Sequence, residues 1–208
     1  MIRLARRTAL SAMAALLALG LAGWTGAGAA EPAAAAPVRG FYDALLHTMQ
    51  DGQKLGQNGR YAALEPVVER SFDIPYMTRM AVGPAWSSLS AAKRQQVTEA
   101  FGRYITATWA SRFDSYSGEK LEVAGAAKPF GAGQLVETRI VKSDGEPVSI
   151  NYLMRRDGDT WRIGDVYLTG TISELATRRA EFTSVLRSQG IDGLIQALNR
   201  KAPTVARS

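Results

Sequence analysis

Apolar and polar positions alternate most strictly between Pro147 and Leu168. Val148, Ile150, Tyr152 and Met154 fall on one side of an extended chain and Ser149, Asn151 and Arg155 on the other, with Leu153 the exception. Side chains of a strand flip faces at every residue, so this pattern predicts a half-buried strand. Asp157-Gly158-Asp159 follows, and Asp-Gly supplies the positive φ that a tight hairpin turn needs. In the return arm, Thr160 to Leu168, Trp161 and Ile163 share a face before parity breaks at Gly164-Asp165 and Val166 and Leu168 take over. A bulge at Gly164 would restore Val166 and Leu168 to the apolar face. The hairpin thus presents one apolar face, and something must cover it.

Helical spacing dominates the first half of the chain. Val38, Phe41, Leu45 and Met49 mark one face of a first helix, which Asp51-Gly52 and the glycines from Gly56 to Gly59 interrupt. Tyr61 to Phe72 reads as a second helix with Pro66 inside it, and Asp73-Ile74-Pro75 starts a third that Gly83-Pro84 ends. Ser90 caps the longest helix, Ala91 to about Asp114, whose inner stripe is Val97, Phe101, Tyr104, Ile105, Thr108, Trp109 and Arg112 or Phe113. Leu121 to Ala124 and Leu135 to Lys142 read as two strands, the second with Val136, Thr138 and Ile140 on one face. The turn Ser143-Asp144-Gly145-Glu146 leads into the hairpin. Beyond it, Ser173 caps a helix from Glu174 to Ser188 with Leu175 and Phe182 inward, Gly190 ends it, and a short helix covers Asp192 to Lys201. Helices, then an antiparallel sheet, then helices make an α+β class.

The N-terminus changes the picture of where this chain works. Arg3, Arg6 and Arg7 precede an apolar run from Thr8 to Ala22, and the small residues Ala27 to Ala30 follow. This is the layout of a secretory signal peptide, expected over residues 1–30 and cleaved after Ala29 or Ala30. Residues 31–37 read as a mobile Pro/Ala linker, 38–201 as a single domain and 202–208 as a frayed tail. Without the three arginines the net charge drops from +6 to +3, a modestly basic protein with no nucleic-acid signature. An exported chain with no cysteine takes its stability from its core rather than from disulfides.

Little chemistry is on offer. His47 is the only histidine; one histidine and no cysteine make no usual zinc site, and no nucleophile elbow or phosphate loop is present. Neither metal nor cofactor is expected. Asp165 is the one acid set among apolar neighbours. With Tyr167 it could serve as a general acid or base, but the structural reading is preferred: an acceptor for backbone N–H groups that fixes the sheet against the Gly170-Thr171 turn.

Several stretches then add up to a family. Phe72-Asp73 through Met77, Arg79, Gly83 and Trp86 resembles the "FD...M.R...G..W" segment of the MlaC-type periplasmic lipid-binding proteins, also called toluene-tolerance auxiliary transport proteins. Trp161 to Gly170 resembles their "W.I.DV...G" segment, and Arg178 or Arg179 with Phe182 their "R..F". Gly170-Thr171-Ile172-Ser173 departs from the common pattern and is similar to the hopanoid biosynthesis-associated HpnM branch, as are Asp144 to Val148 and Asn151 to Arg155. The resemblance implies a periplasmic carrier without catalytic residues. It would bind a hopanoid or phospholipid and shuttle it between an inner-membrane lipid transporter and an outer-membrane acceptor complex.

The expected architecture is therefore a cup, NTF2-like or similar, with helices packed on one face of a curved antiparallel sheet of about four strands around an apolar pocket. Its lipid-lining residues are expected to be Val97, Phe101, Tyr104, Ile105, Thr108 and Trp109 from the long helix, facing Val136, Ile140, Ile150, Tyr152, Met154, Trp161 and Ile163 from the sheet. Asp165 and Gly170 are structural, and the protein is expected to be a monomer. Two other functions stay open: a small isomerase-like or hydrolase-like enzyme in the same cup using Asp165 and Tyr167, and a ligand-free adaptor of an export complex.

Overall fold

A computed structural model describes residues 33–142 and 145–202. The expected signal segment, the tail from 203 and the first half of the turn at Ser143-Asp144 lie outside those residues. The alternating stretch folds as two long antiparallel strands, β5 (Val148–Asp157) and β6 (Thr160–Leu168), joined at Gly158 with φ 59°. Met154 pairs with Ile163 but Leu153 with Asp165, so Gly164 is an extra residue in β6. This bulge keeps Ile163 and Val166 both in the core.

The sheet is assembled from β1 (Lys120–Val123), β2 (Lys128–Phe130), β3 (Gly133–Val136), β4 (Thr138–Val141), β5, β6 and the two-residue β7 (Ile172–Ser173). Registers reduce these pieces to four long strands and a short edge. β3 and β4 meet β5 in a single register, from Gln134 opposite Met154 to Ile140 opposite Val148, and are parted only at Glu137. β1 and β2 run along β4 and β3, bulging where the five steps from Val123 to Lys128 face three from Leu135 to Thr138. The sheet is antiparallel, curved and unclosed.

Five α-helices cover it: α1 (Ala36–Gln50), α2 (Gly52–Ser71), α3 (Ile74–Val82), α4 (Ala91–Arg112) and α5 (Glu174–Lys201). Ser90, Asp73 and Ser173 each accept a backbone N–H at the start of α4, α3 and α5. Gly56 kinks α2 with φ 61° and Gly190 breaks α5 with φ 65°, so α5 is the two expected helices joined at the glycine. Pro66 leaves the helical backbone of α2 intact. The expected linker is partly structured: Ala34 and Ala35 are buried and α1 begins at Ala36, because small alanines fit against the core while Pro37 is tolerated in a first turn.

The packing order departs from the sequence expectation. α1, not α4, lies on the inner face of the sheet. Phe41 and Tyr42 set their rings edge-on to Tyr152, 6.4 and 5.7 Å between centroids. Trp109 of α4 reaches this layer through Phe41 and Phe72, at 4.9 and 6.3 Å. Buried Arg60 in α2 ties the helices together, donating to the carbonyls of Ala110 and Gly52 at 2.8 Å each. The Ala110 carbonyl belongs to the C-terminal end of α4, where a cation is favoured.

Candidate functional site

Where α4 faces β6 without α1 between them, an apolar cavity of about 60 Å3 remains. α4 contributes Phe101, Tyr104, Ile105, Thr108, Trp109 and Arg112, one stripe at helical spacing. β6 contributes Val166 and Leu168, turned inward by the Gly164 bulge. Phe72, Met77 of α3, and Glu174, Leu175 and Arg178 from the first turns of α5 close the wall. The interior is apolar and its rim is charged.

Of the expected lining residues, the structure brings together Phe101, Tyr104, Ile105, Thr108 and Trp109. The others lie elsewhere. Val97 is fully buried in the core, and Val136, Ile140, Ile150, Tyr152, Met154 and Ile163 are packed in the core on the inner face of the sheet. They do not line the cavity, because α1 occupies the space over β5 that the sequence reading assigned to α4. Trp161 is half-buried beside Pro37 and Arg70, with the Arg156 guanidinium 5.2 Å from its ring. The sheet side of the cavity is instead Val166 and Leu168. Their parity after the bulge is the available signal; Leu175 reads from the sequence as an inward residue but not as cavity wall.

The core under α1 carries its own polar chain. The Tyr152 hydroxyl donates to Tyr42 at 3.4 Å, Tyr42 lies 2.6 Å from the Thr138 hydroxyl, and Thr138 donates to the Ile150 carbonyl. Since Thr138 spends its proton on Ile150, Tyr42 is the donor to Thr138, and the chain runs one way. Burial pushes both phenols above their usual pKa, opposed at Tyr42 by its hydrogen bonds and reinforced at Tyr152 by Tyr42.

Asp165 is buried and accepts the N–H of Val166 at 2.7 Å, the Ser173 hydroxyl at 2.6 Å and the N–H of Leu175 at 3.1 Å. Its partners are thus the start of α5 rather than the expected Gly170-Thr171 turn, since the first N–H groups of a helix lack partners of their own. Burial raises its carboxyl pKa, an effect that the three hydrogen bonds offset only in part. Gly170, at φ 79°, accepts the Asn151 amide at 3.4 Å. Tyr167 sets its ring against Phe130 at 5.8 Å. Neither Asp165 nor Tyr167 lines the cavity. His47 is exposed, 3.9 Å from the Asp51 carboxylate, and no group of potential metal ligands occurs among the described residues.

At the rim, Arg178 is held by Glu174 at 2.9 Å and Glu181 at 2.7 Å, and lies 5.4 Å from the Tyr104 ring. A larger hollow, about 620 Å3, lies beyond Phe72 between α2, α4 and the end of α5. Glu65, Glu69, Glu99, Arg103 and Arg162 line it; that density of charge suits water rather than hydrocarbon. The smaller cavity is therefore the better candidate for an apolar ligand.

The residues that carry the family resemblance converge beside this cavity. Phe72 forms its wall, and the Asp73 N–H donates to the Ile163 carbonyl at 2.9 Å. A Cβ on Gly83 would come within 3.0 Å of Arg179, and Phe182 meets the Phe101 ring edge-on at 5.7 Å. Among solved structures, the chain is similar to the phospholipid-binding protein from Ralstonia solanacearum in complex with a phospholipid. The TM-score is 0.67 at 22% identity, over 81% of this chain and 96% of that one, a likeness of fold. The profile of the family described as MlaC protein matches residues 39–200, and over that span the chain belongs to the MlaC family.

Proposed function

We propose that this protein carries one membrane lipid through the periplasm, taking it from an inner-membrane transporter and delivering it to an outer-membrane acceptor. The observation that carries the reading is the apolar cavity between α4, α5 and β6. α4, which supplies six of the lining residues, packs over β6 through side chains, whereas the start of α5 is held to β6 by the hydrogen bonds of Asp165. Each buried methylene is worth about 0.8 kcal/mol, so an acyl chain or a hopanoid skeleton gains much by entering. At about 60 Å3 the space is far below the roughly 300–1,000 Å3 of a pocket for even a drug-sized ligand. Loading therefore requires α4 to move away from β6. The phospholipid bound by the Ralstonia protein supports a phospholipid ligand, and the HpnM-like stretches support a hopanoid. Export by the N-terminal segment supplies the compartment, and among the described residues no helix is long and apolar enough to span a membrane. Asp165, committed to the start of α5, does not favour the enzyme alternative.

Organic extraction of purified protein followed by mass spectrometry should find phospholipid or hopanoid near one molecule per chain. Leu168→Trp, at the half-buried end of the cavity wall, should lower that stoichiometry several-fold while the protein stays folded. Protein free of lipid in every preparation, and unable to take any from vesicles, would refute the carrier.

A further inference from the structure

We propose that Arg112 and Arg178 form a charge-reading rim on the cavity, which favours lipids with a net negative phosphate headgroup over zwitterionic or neutral ones. The inference rests on the carrier reading. Both arginines line the cavity whose interior is apolar, so an amphiphile buried there by its chains leaves its headgroup beside them. Their situations differ. Arg178 is fixed: its side chain is 13% exposed, clamped by Glu174 and Glu181 and close to the Tyr104 ring. Glu174, the other charged residue of the lining, already neutralises it. Arg112 closes α4, is exposed, and has no hydrogen bond, ion pair or ring contact among the described residues. With Arg178 shared between two carboxylates, the one positive charge of the rim open to a headgroup is that of Arg112, a guanidinium whose planar fork matches two phosphate oxygens. An ammonium-bearing headgroup would bring a like charge to that rim and a diacylglycerol would bring none.

The test is uptake from vesicles of phosphatidylglycerol, phosphatidylethanolamine or diacylglycerol with matched chains, by the full protein and by Arg112→Gln and Arg112→Lys. The parent should prefer phosphatidylglycerol by roughly five-fold, the scale of one exposed ion pair. Arg112→Gln should erase the preference, Arg112→Lys should keep part of it, and added salt should weaken it. Equal uptake of all three lipids by the parent, a preference for phosphatidylethanolamine, or a preference that survives in Arg112→Gln would overturn the rim while leaving the carrier standing. Uptake of no lipid at all would remove the carrier and the rim together. Calorimetry with inorganic phosphate separates a headgroup from a free anion: phosphate bound by the parent as tightly as the lipid would also overturn the proposal.

Discussion

Arg155 of β5 crosses over Gly164 of β6 to reach Asp73 at the head of α3. Its guanidinium pairs with the Asp73 carboxylate and lies 3.6 Å from the centre of the Tyr76 ring. Asp73 meanwhile accepts the Tyr76 N–H at 3.1 Å, capping α3. The sheet, its bulge and the helix that supplies Met77 to the cavity are thus joined at one point, and the crossing needs a residue without a side chain beneath it.

Gly164→Ala should therefore destabilise the fold. Its new Cβ would stand 2.6 Å from Arg155 Cδ and 2.8 Å from Cγ. These atoms belong to the stem of the side chain, whose tip is already tied down. The cost should be about 1–3 kcal/mol, the range for forced overpacking, read as a lowered denaturation midpoint. Arg155→Ala combined with Gly164→Ala should recover part of the loss, because the clash goes with the stem. A Gly164→Ala protein as stable as its parent would show that Arg155 moves aside freely.

The one-way chain from Tyr152 through Tyr42 to Thr138 makes a prediction at alkaline pH. Burial raises both phenols above their usual value, so the folded protein holds protons that the unfolded chain releases above about pH 10. The associated stability is whole below that pH and is lost as pH climbs towards the folded values. Tyr152→Phe should make the fall of stability above about pH 10 shallower, by up to roughly 1.4 kcal/mol per pH unit for one proton. Denaturant titrations at several alkaline pH values measure the slope, and tyrosinate absorbance reports the ionisation. Equal slopes in parent and variant would place the Tyr152 proton outside the folding equilibrium.

Asp165 should behave differently from most acids. Burial raises its carboxyl pKa despite hydrogen bonds from Ser173, Leu175 and Val166. Its titration thus favours the fold most below the unfolded value of about 3.9, and this share is lost as pH rises through the folded value. The stability of the parent minus that of Asp165→Asn should accordingly fall as pH rises across that window. Asp165→Ala should cost about 1–3 kcal/mol by leaving the donors at the head of α5 without their acceptor. Thermal melts of the three proteins from acid to neutral pH test this, and a difference that grows with pH would reverse the sign.

The sequence made some of these features readable for definite reasons. Alternation in β5, the Asp-Gly turn and the parity break at Gly164 each answer to one local rule, and the structure follows all three. Gly190 breaks the last helix where it reads as a break, whereas Gly56 only kinks α2, and the stretch from Gly52 to Arg60 that reads as an interruption is otherwise helical. What stayed hidden was partnership. The pattern of Phe41 and Leu45 says that α1 buries a face, but not that this face displaces α4 from Tyr152 and Met154. Half of the candidate site was consequently legible, the stripe from Phe101 to Trp109, and the wall opposite it was not. The interruption at Glu137 was hidden as well: Val136, Thr138 and Ile140 keep their alternation straight through it, and the Thr138 N–H turns to the Asn151 side chain at 3.3 Å.

An unclosed sheet has two open edges, and exposed strand edges recruit other strands. Here each edge is obstructed by different means. Beside β6, the bridge from Phe72 to Ile163 and the short β7 occupy the backbone groups that another chain would seek. At the far side the edge is split into two short pieces, β1 of four residues and β2 of three, and β2 carries Lys128 and Pro129, a charge and a residue that has no N–H to donate. A carrier that loads as proposed would expose apolar surface each time a helix parts from its sheet. Blocked edges leave that surface no ladder along which to polymerise, so transient opening need not end in aggregation.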